Sequence, residues 1–160
     1  MKIYDCFMFY DEDLVIDLRL NILNKYVNEF IIVESKYTHS GKKRELLFDI
    51  NKYSNFKNKI NYIILENEPD DLEIVKNSDT KDKTNSKYIM NALKRENYQR
   101  NEITKGLSKA KPEDLILISD VDEIPNLSNL EVSKVNNEII LFKQNFYYYK
   151  LNLKLENMPW

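Results

Sequence analysis

Short, mainly apolar runs constrain the fold of this chain more than any other feature. They predict strands over residues 3–9, 26–34 and 115–118, and residues 60–65 predict a further strand between them. A run such as Phe30-Ile31-Ile32-Val33, without alternating polar residues, is typical of a parallel strand covered on both faces. The chain is therefore expected to contain a mostly parallel sheet buried between other elements.

Helical patterns separate these strands. Asp11 is expected to cap a helix whose inward stripe consists of apolar residues at four-residue spacing, namely Leu14, Leu18 and Ile22. A short helix is expected over residues 49–56 and a long one over 87–110. Apolar positions of the long helix include Ile89, Leu93, Ile103 and Leu107, and Gly106 weakens its last turn. Alternating strands and helices predict one α/β domain over residues 1–160.

Other segments read as loops or as additional strands. Residues 39–43 are polar and predict a loop. Residues 66–86 are polar without periodicity and predict a long loop, and loops of such length are often functional. Residues 138–155 are expected to contain one or two more strands, including the aromatic run at residues 146–149.

Composition excludes several classes of function. With 2 glycines in 160 residues, the chain contains neither G-x-x-x-x-G-K-[ST] nor G-x-G-x-x-G, so a nucleotide phosphate would need side chains and a metal. The formal net charge of -2 argues against a nucleic-acid partner. Asp5 interrupts the apolar stretch that a signal peptide would need, so no signal peptide is expected. No segment approaches the roughly 18 apolar residues of a membrane span. A cytoplasmic location is expected, and the oligomeric state stays open.

Two residue types that often serve chemistry occur once each. Cys6 is the single cysteine and lies in an apolar run, which favours a buried small hydrophobic residue over a nucleophile. His39 is the single histidine and lies in a polar loop, where a loop role is favoured over metal binding.

An acidic turn directly follows the most apolar strand. Asp120, Asp122 and Glu123 lie within four residues. In extended backbone Asp120 and Asp122 point the same way, because side chains alternate with period two. Two carboxylates about 6 Å apart repel by about 3 kcal/mol at an effective dielectric constant of about 20. A divalent cation removes that cost, and oxygen ligands suit Mg²⁺ or Mn²⁺.

The alternative interpretation is a solvated turn in which Asp122 or Glu123 caps a short helix. The apolar run before the turn and Pro125 after it favour the metal site instead. Ligands of open α/β sheets also lie beyond the carboxyl ends of the strands. An EF-hand loop is excluded, because its glycine and its distal glutamate are missing.

Six segments of the chain form a recognisable series. They are KIYDCF at residues 2–7, IVES at 32–35, SGK at 40–42, RENYQRN at 95–101, the acidic turn ISDVDEIP at 118–125 and QNFYYY at 144–149. In this order they resemble glycosyltransferase family 17, which includes the β-1,4-mannosyl-glycoprotein N-acetylglucosaminyltransferases, and the acidic turn resembles the D-x-D signature of that family. The combined order of the segments is more specific than any single motif.

The resemblance implies a GT-A-like nucleotide-sugar-binding fold and an inverting transferase with a UDP-sugar donor, UDP-GlcNAc as the first expectation, and a carbohydrate acceptor. It implies Mn²⁺ or Mg²⁺ as the cofactor, bound by Asp120 and Asp122. The residues implied to bind the donor are Glu34, Ser35, Arg95, Gln99, Arg100 and Asp120. For Glu34 a capping or exposed strand-end role is the alternative, and for Arg95 a surface contact along the helix. The tyrosines at 147–149 alternate faces, so one is expected in the core and another could stack on a sugar or base.

One departure limits what the resemblance implies. The family's catalytic region is longer than this chain, so the sequence is expected to be truncated at its C-terminal end, in the half where the acceptor pocket and the base usually lie. Glu131, Glu138 and Glu156 follow the acidic turn, but nothing in the sequence supports any of them as the base. The catalytic base stays unknown.

Two other functions compete with glycosyl transfer. A non-catalytic nucleotide-sugar-binding module would keep the donor site and lack the acceptor half. A haloacid-dehalogenase-like phosphatase also places D-x-D after an apolar strand, with the first Asp as nucleophile. Its motif normally begins the chain, and too few residues follow Asp122 here to supply its remaining catalytic groups.

Overall fold

A computed structural model of the chain describes residues 1–131, 139–147 and 153–159. The backbone forms two compact units, Met1–Asp122 and Glu123–Trp160, which are described separately below. Whether they act as the one domain expected from the sequence stays a prediction. In the described part of the chain, no helix is long and apolar enough to cross a membrane.

The first unit is built on a parallel four-stranded sheet. Its strands are β1 (Ile3–Phe9), β2 (Glu29–Ser35), β3 (Ile60–Leu65) and β4 (Leu115–Ile118), in the order β3-β2-β1-β4. The predictions for β1, β3 and β4 are confirmed, and β2 begins three residues later than predicted. Since β1 has β2 on one side and β4 on the other, the strand order reverses at β1, where open α/β sheets bind ligands.

Helices flank the sheet, which confirms the α/β class and fits a GT-A-like fold. They are α1 (Asp13–Leu23), α2 (Lys81–Asn101) and the short α3 (Ile103–Gly106). In place of the helix predicted over residues 49–56, turns lead into a 3₁₀ helix at Ser54–Lys59. The core between the sheet and α3 includes Cys6, which confirms its prediction as a buried residue; burial raises the pKa of its thiol to about 12.

The predicted inward face of α1 is wrong. Leu14, Leu18 and Ile22 are exposed, whereas Ile16, Arg19, Leu20 and Leu23 are buried. The buried ion pair between Arg19 and Asp5 of β1 belongs to this inward face, and an apolar pattern does not reveal such a pair. The predicted cap is wrong as well, because Glu12 occupies the N-cap position and no side chain caps the helix.

The predicted bounds and apolar face of the long helix also need correction. Thr80 caps α2 by accepting a hydrogen bond from Lys83 N (3.3 Å), so the preceding loop ends at residue 80. Ile89 and Leu93 are exposed, and the buried side chains of α2 are polar, namely Lys87, Asn91 and Gln99. Two of them bind the loop backbone: Lys87 donates to Ile74 O (2.8 Å), and Asn91 exchanges two hydrogen bonds with Glu73. The buried face of α2 is polar because these two side chains form hydrogen bonds with the backbone of the preceding loop.

The helix predicted to continue to residue 110 ends at Asn101, and α3 follows after Glu102. Gly106 has a packing role rather than the merely weakening one expected. A Cβ at this position would lie 2.6 Å from Ile31 Cγ2 on β2. The absent side chain therefore lets α3 approach the sheet closely.

The second unit contains an antiparallel pair of strands, β5 (Asn145–Tyr147) and β6 (Lys154–Pro159). This confirms the expectation of further strands. β5 includes the first two residues of the predicted aromatic run, Phe146 and Tyr147. Tyr148, Tyr149 and Glu138 lie outside the described residues.

Candidate functional site

A cavity of about 670 Å³ lies at the carboxyl ends of the parallel strands and falls wholly within the first unit. Its size is typical of a small-molecule site. Residues that follow β1, β2 and β4 line it together with one face of α2. The lining includes Tyr10, Ser35, Tyr37, His39, Arg44, Gln99, Arg100, Asp120 and Asp122.

The acidic turn contributes two carboxylates to this cavity. Asp120 and Asp122 both line it, while Val121 between them is buried. Val121 lines the cavity as well, and residues 121–122 form a turn, so the alternation of an extended strand expected from the sequence is not observed there. Asp120 is about half-buried, with 49% of its side chain exposed, and Asp122 is exposed, so a ligand in the cavity can reach both.

Arg100 places a positive charge beside the turn. Its Nη2 lies 3.4 Å from Asp120 Oδ1 and 3.0 Å from Glu96 Oε1, one helical turn away on α2. Part of the guanidinium is exposed and lines the cavity. Arg100 can therefore balance one carboxylate and contact an anionic ligand.

Gln99 and Ser35 lie in the cavity wall. Gln99 is buried and donates from Nε2 to Val33 O (2.9 Å), which ties α2 to the end of β2. The Ser35 hydroxyl accepts from Tyr37 N (3.1 Å), so its own hydrogen can be donated to a ligand. The structure brings both together with Arg100 and the acidic turn in one cavity, and their binding of the donor stays a prediction.

Arg95 faces a different environment. It pairs with Glu68 (Nε to Oε1, 2.5 Å) and donates to His39 O (3.2 Å), and it is not part of the cavity lining. Its guanidinium also packs against Gly41, whose φ of 85° lies in the left-handed region that favours glycine. Arg95 therefore braces the loop that carries His39, and a direct role in donor binding stays a prediction without structural support.

Glu34 is likewise outside the cavity lining, and its predicted donor contact gains no support. It is fully buried, which contradicts the alternative of an exposed strand-end residue. Its carboxylate accepts from Leu47 N (2.8 Å), Phe48 N (3.1 Å) and the Tyr62 hydroxyl (2.6 Å), and it pairs with Arg44 (3.0 Å). Burial and the hydrogen bond to Glu34 raise the pKa of Tyr62. Glu34 thus holds residues 44–48 against the sheet.

Arg44 is a cavity residue that the sequence reasoning missed. Its guanidinium lies 4.2 Å from the centre of the Tyr10 ring and donates to the carbonyls of Ser35 and Tyr10. Because Glu34 also binds it, the planar group is held rigidly beside Tyr10. The polar loop sequence around Arg44 offered no motif that distinguishes it from a surface residue.

Arg19 and Asp5 were also missed, although they lie directly beneath the acidic turn. Both side chains are fully buried and form a bidentate pair, with Arg19 Nε 2.8 Å and Nη2 2.7 Å from the Asp5 oxygens. The signal was present in the sequence: an Asp inside a buried apolar strand needs a cationic or hydrogen-bonding partner.

His39 lies in the loop as predicted, exposed and lining the cavity. Glu131 and Glu156 lie in the second unit, where nothing identifies either one as a base. The catalytic base stays unassigned.

The donor set at the turn fits a divalent cation that is shared with a ligand. Within the described residues, no group of three His, Cys, Asp or Glu side chains could hold a metal ion by itself. Two carboxylates are nevertheless compatible with Mg²⁺, which is usually bound by one or two carboxylates together with substrate phosphates and water. The arrangement suits a metal that arrives with a nucleotide diphosphate.

The fold and the cavity together define an α/β protein with a candidate ligand site where the strand order reverses. The sequence model of glycosyltransferase family 17 matches residues 1–160, and the chain belongs to this family. Its class is therefore glycosyltransferase, which replaces the phosphatase hypothesis. The searches of curated proteins and of solved structures gave no match.

Proposed function

We propose that this glycosyltransferase takes a UDP-sugar as donor, UDP-GlcNAc first, and transfers the sugar with inversion to a carbohydrate acceptor in a metal-dependent reaction. The observation that carries the proposal is that Asp120 and Asp122 both line one cavity, where the strand order reverses. The absence of glycine-rich phosphate loops supports it, because a diphosphate must then be bound through charge and metal.

Asp120 and Asp122 would hold Mn²⁺ or Mg²⁺. When bound, the metal supplies positive charge that stabilises the departing diphosphate. Arg100 would add a second positive charge from α2, at a position that already lies 3.4 Å from Asp120. These residues orient the donor and lower the cost of placing negative charge in the cavity.

The nucleoside would lie toward Ser35 and Tyr10. Tyr10 is 47% exposed and is fixed by the Arg44 guanidinium. An aromatic ring of this kind can stack on a base, and the Ser35 hydroxyl can donate a hydrogen bond to it. This part of the proposal names where the uridine would bind.

The test is isothermal titration of UDP into wild type and Asp122→Ala, with and without Mn²⁺. We expect the variant to lose Mn²⁺-dependent affinity while circular dichroism shows a retained fold. Glu113→Ala, which removes an exposed carboxylate outside the cavity lining, is the matched control and should behave as wild type. Unchanged Mn²⁺-dependent affinity in Asp122→Ala would show that the site is wrongly assigned.

The alternative is a donor-binding module without transferase activity, favoured by the lack of an assigned base. Hydrolysis of UDP-GlcNAc and transfer to a panel of sugar acceptors would separate the two. Turnover that depends on Mn²⁺ and on Asp122 supports the transferase, whereas UDP binding without turnover supports the module.

A further inference from the structure

We propose that Arg19, held by Asp5, is a positioning residue that orients the two cavity carboxylates; this rests on the proposed function of the acidic turn. Arg19 does not line the cavity, so it acts through the turn and not through contact with the donor.

The guanidinium connects three parts of the first unit. From α1 it donates to both carboxylate oxygens of Asp5 on β1. It also donates to the backbone oxygens of Asp120 (2.7 Å) and Val121 (3.1 Å), and to the Ser119 hydroxyl (2.8 Å). Its plane lies 4.6 Å from the centre of the Phe7 ring. Three consecutive residues of the turn therefore share one rigid donor.

This contact pattern sets the direction of the side chains in the turn. Because the carbonyls of Asp120 and Val121 point toward Arg19, the backbone of the turn cannot rotate without breaking these hydrogen bonds. The carboxylates of Asp120 and Asp122 are then presented to the cavity.

A buried ion pair needs a reason beyond stability. Removing two charges from water is costly, and apolar residues of similar volume often stabilise a protein equally well. An apolar side chain at position 19 could pack against Phe7, but it could not orient two carbonyls. The planar fork of arginine also binds a carboxylate and further acceptors together, which a lysine amine cannot reproduce.

A purely structural role makes a different prediction. If the pair only fastens α1 to β1, Arg19→Lys should lower thermal stability and leave the Mn²⁺-dependent affinity for UDP unchanged in the folded protein. Ile16→Val is the matched control, since Ile16 is buried on the same face of α1 and the substitution weakens packing without removing a hydrogen bond to the turn.

The experiment measures UDP affinity by titration calorimetry with and without Mn²⁺, at a temperature where each variant is folded. We expect Arg19→Lys to lower the Mn²⁺-dependent affinity by about ten-fold or more, to leave the metal-free affinity within about two-fold, and Ile16→Val to change neither. Ser119→Ala, which removes one contact, should cause a smaller loss of the same kind and decides the question if Arg19→Lys does not fold.

Wild type and Asp122→Ala are titrated in parallel. If wild type gains no UDP affinity from Mn²⁺, or Asp122→Ala retains that gain, the proposed function fails first. If both behave as proposed and Arg19→Lys, or Ser119→Ala in its place, keeps the wild-type affinity, the positioning role is overturned.

Discussion

The guanidinium of Arg100 lies 3.4 Å from the carboxylate of Asp120, and both side chains face the same cavity. A cation in that cavity would compete with Arg100 for Asp120, whereas an anionic diphosphate would be attracted by Arg100. Arg100 is therefore expected to weaken metal binding and to strengthen nucleotide binding.

Arg100→Gln should strengthen the binding of Mn²⁺ alone and weaken the binding of UDP. Removing a partly exposed positive charge changes the free energy of Mn²⁺ binding and that of UDP binding by about 1 kcal/mol each, which corresponds to about five-fold in affinity. Titration calorimetry with Mn²⁺ alone and with UDP in Mn²⁺ measures both. Lys94→Gln, on the same helix and outside the cavity lining, is the control. A change of both affinities in the same direction would contradict the competition.

Gly41→Ala should destabilise the protein by about 1–2 kcal/mol, because alanine is disfavoured at positive φ. Its Cβ would also lie 2.6 Å from Arg95 Nη2 and displace that side chain. Urea unfolding measures the free energy of unfolding of wild type, Gly41→Ala, Arg95→Ala and the double variant. These four values give the interaction energy between positions 41 and 95. The double variant should recover the steric part of the loss. Strict additivity would mean that Arg95 and Gly41 are not in contact.

Gly106→Ala should destabilise the protein although alanine is normally the better helix former. The expected cost is about 1–3 kcal/mol, since the new Cβ meets Ile31 Cγ2. In an Ile31→Ala background that clash is absent, and the same change should be neutral or stabilising. Chemical denaturation of the four proteins measures the sign change. Stabilisation by Gly106→Ala in the wild-type background would refute the close approach.

Asp79 should contribute a pH-dependent part of the stability. The hydrogen bond from Lys87 (2.6 Å), with one from Lys76 N, lowers the pKa of Asp79 to about 2. Its unfolded-state pKa is about 3.9. The carboxylate therefore stabilises the fold above about pH 4, and this stabilisation is lost as the pH falls from about 4 to about 2.

Asp79→Asn should lower stability at neutral pH and flatten the fall in stability between about pH 4 and pH 2. Lys87→Met removes the side-chain hydrogen bond that lowers the pKa of Asp79 most, so it should flatten the fall in stability over the same pH interval, though less than Asp79→Asn does. Urea unfolding at several pH values measures both. If Asp79→Asn keeps the wild-type slope, the Lys87 contact does not hold the loop in solution.

The parallel strands could be predicted because each is a mainly apolar run, although Asp5 in β1 and Asn61 in β3 interrupt two of them. That pattern is local, so β1, β3 and β4 follow from single segments such as residues 115–118. The inward face of α1 could not be predicted in this way. Arg19 looks like a surface residue until Asp5, 14 residues earlier, is placed against it.

The acidic turn was visible in the sequence because its three carboxylates are close along the chain, and the turn is also one of the segments that carry the family resemblance. The sequence did not show which of the surrounding residues line the cavity and which hold its walls. Among the residues implied to bind the donor, Ser35, Gln99, Arg100 and Asp120 line the cavity, whereas Glu34 and Arg95 hold its walls.

The sequence by itself determined the α/β class, the edge of the sheet where the candidate site lies and the two aspartates that line it, because each depends on residues near one another in the chain. Only the tertiary structure decided which charged side chains face the cavity and which are buried to support it. That choice depends on partners from distant segments, as for Arg19 beneath Asp120, and on the cost of burying a charge without one.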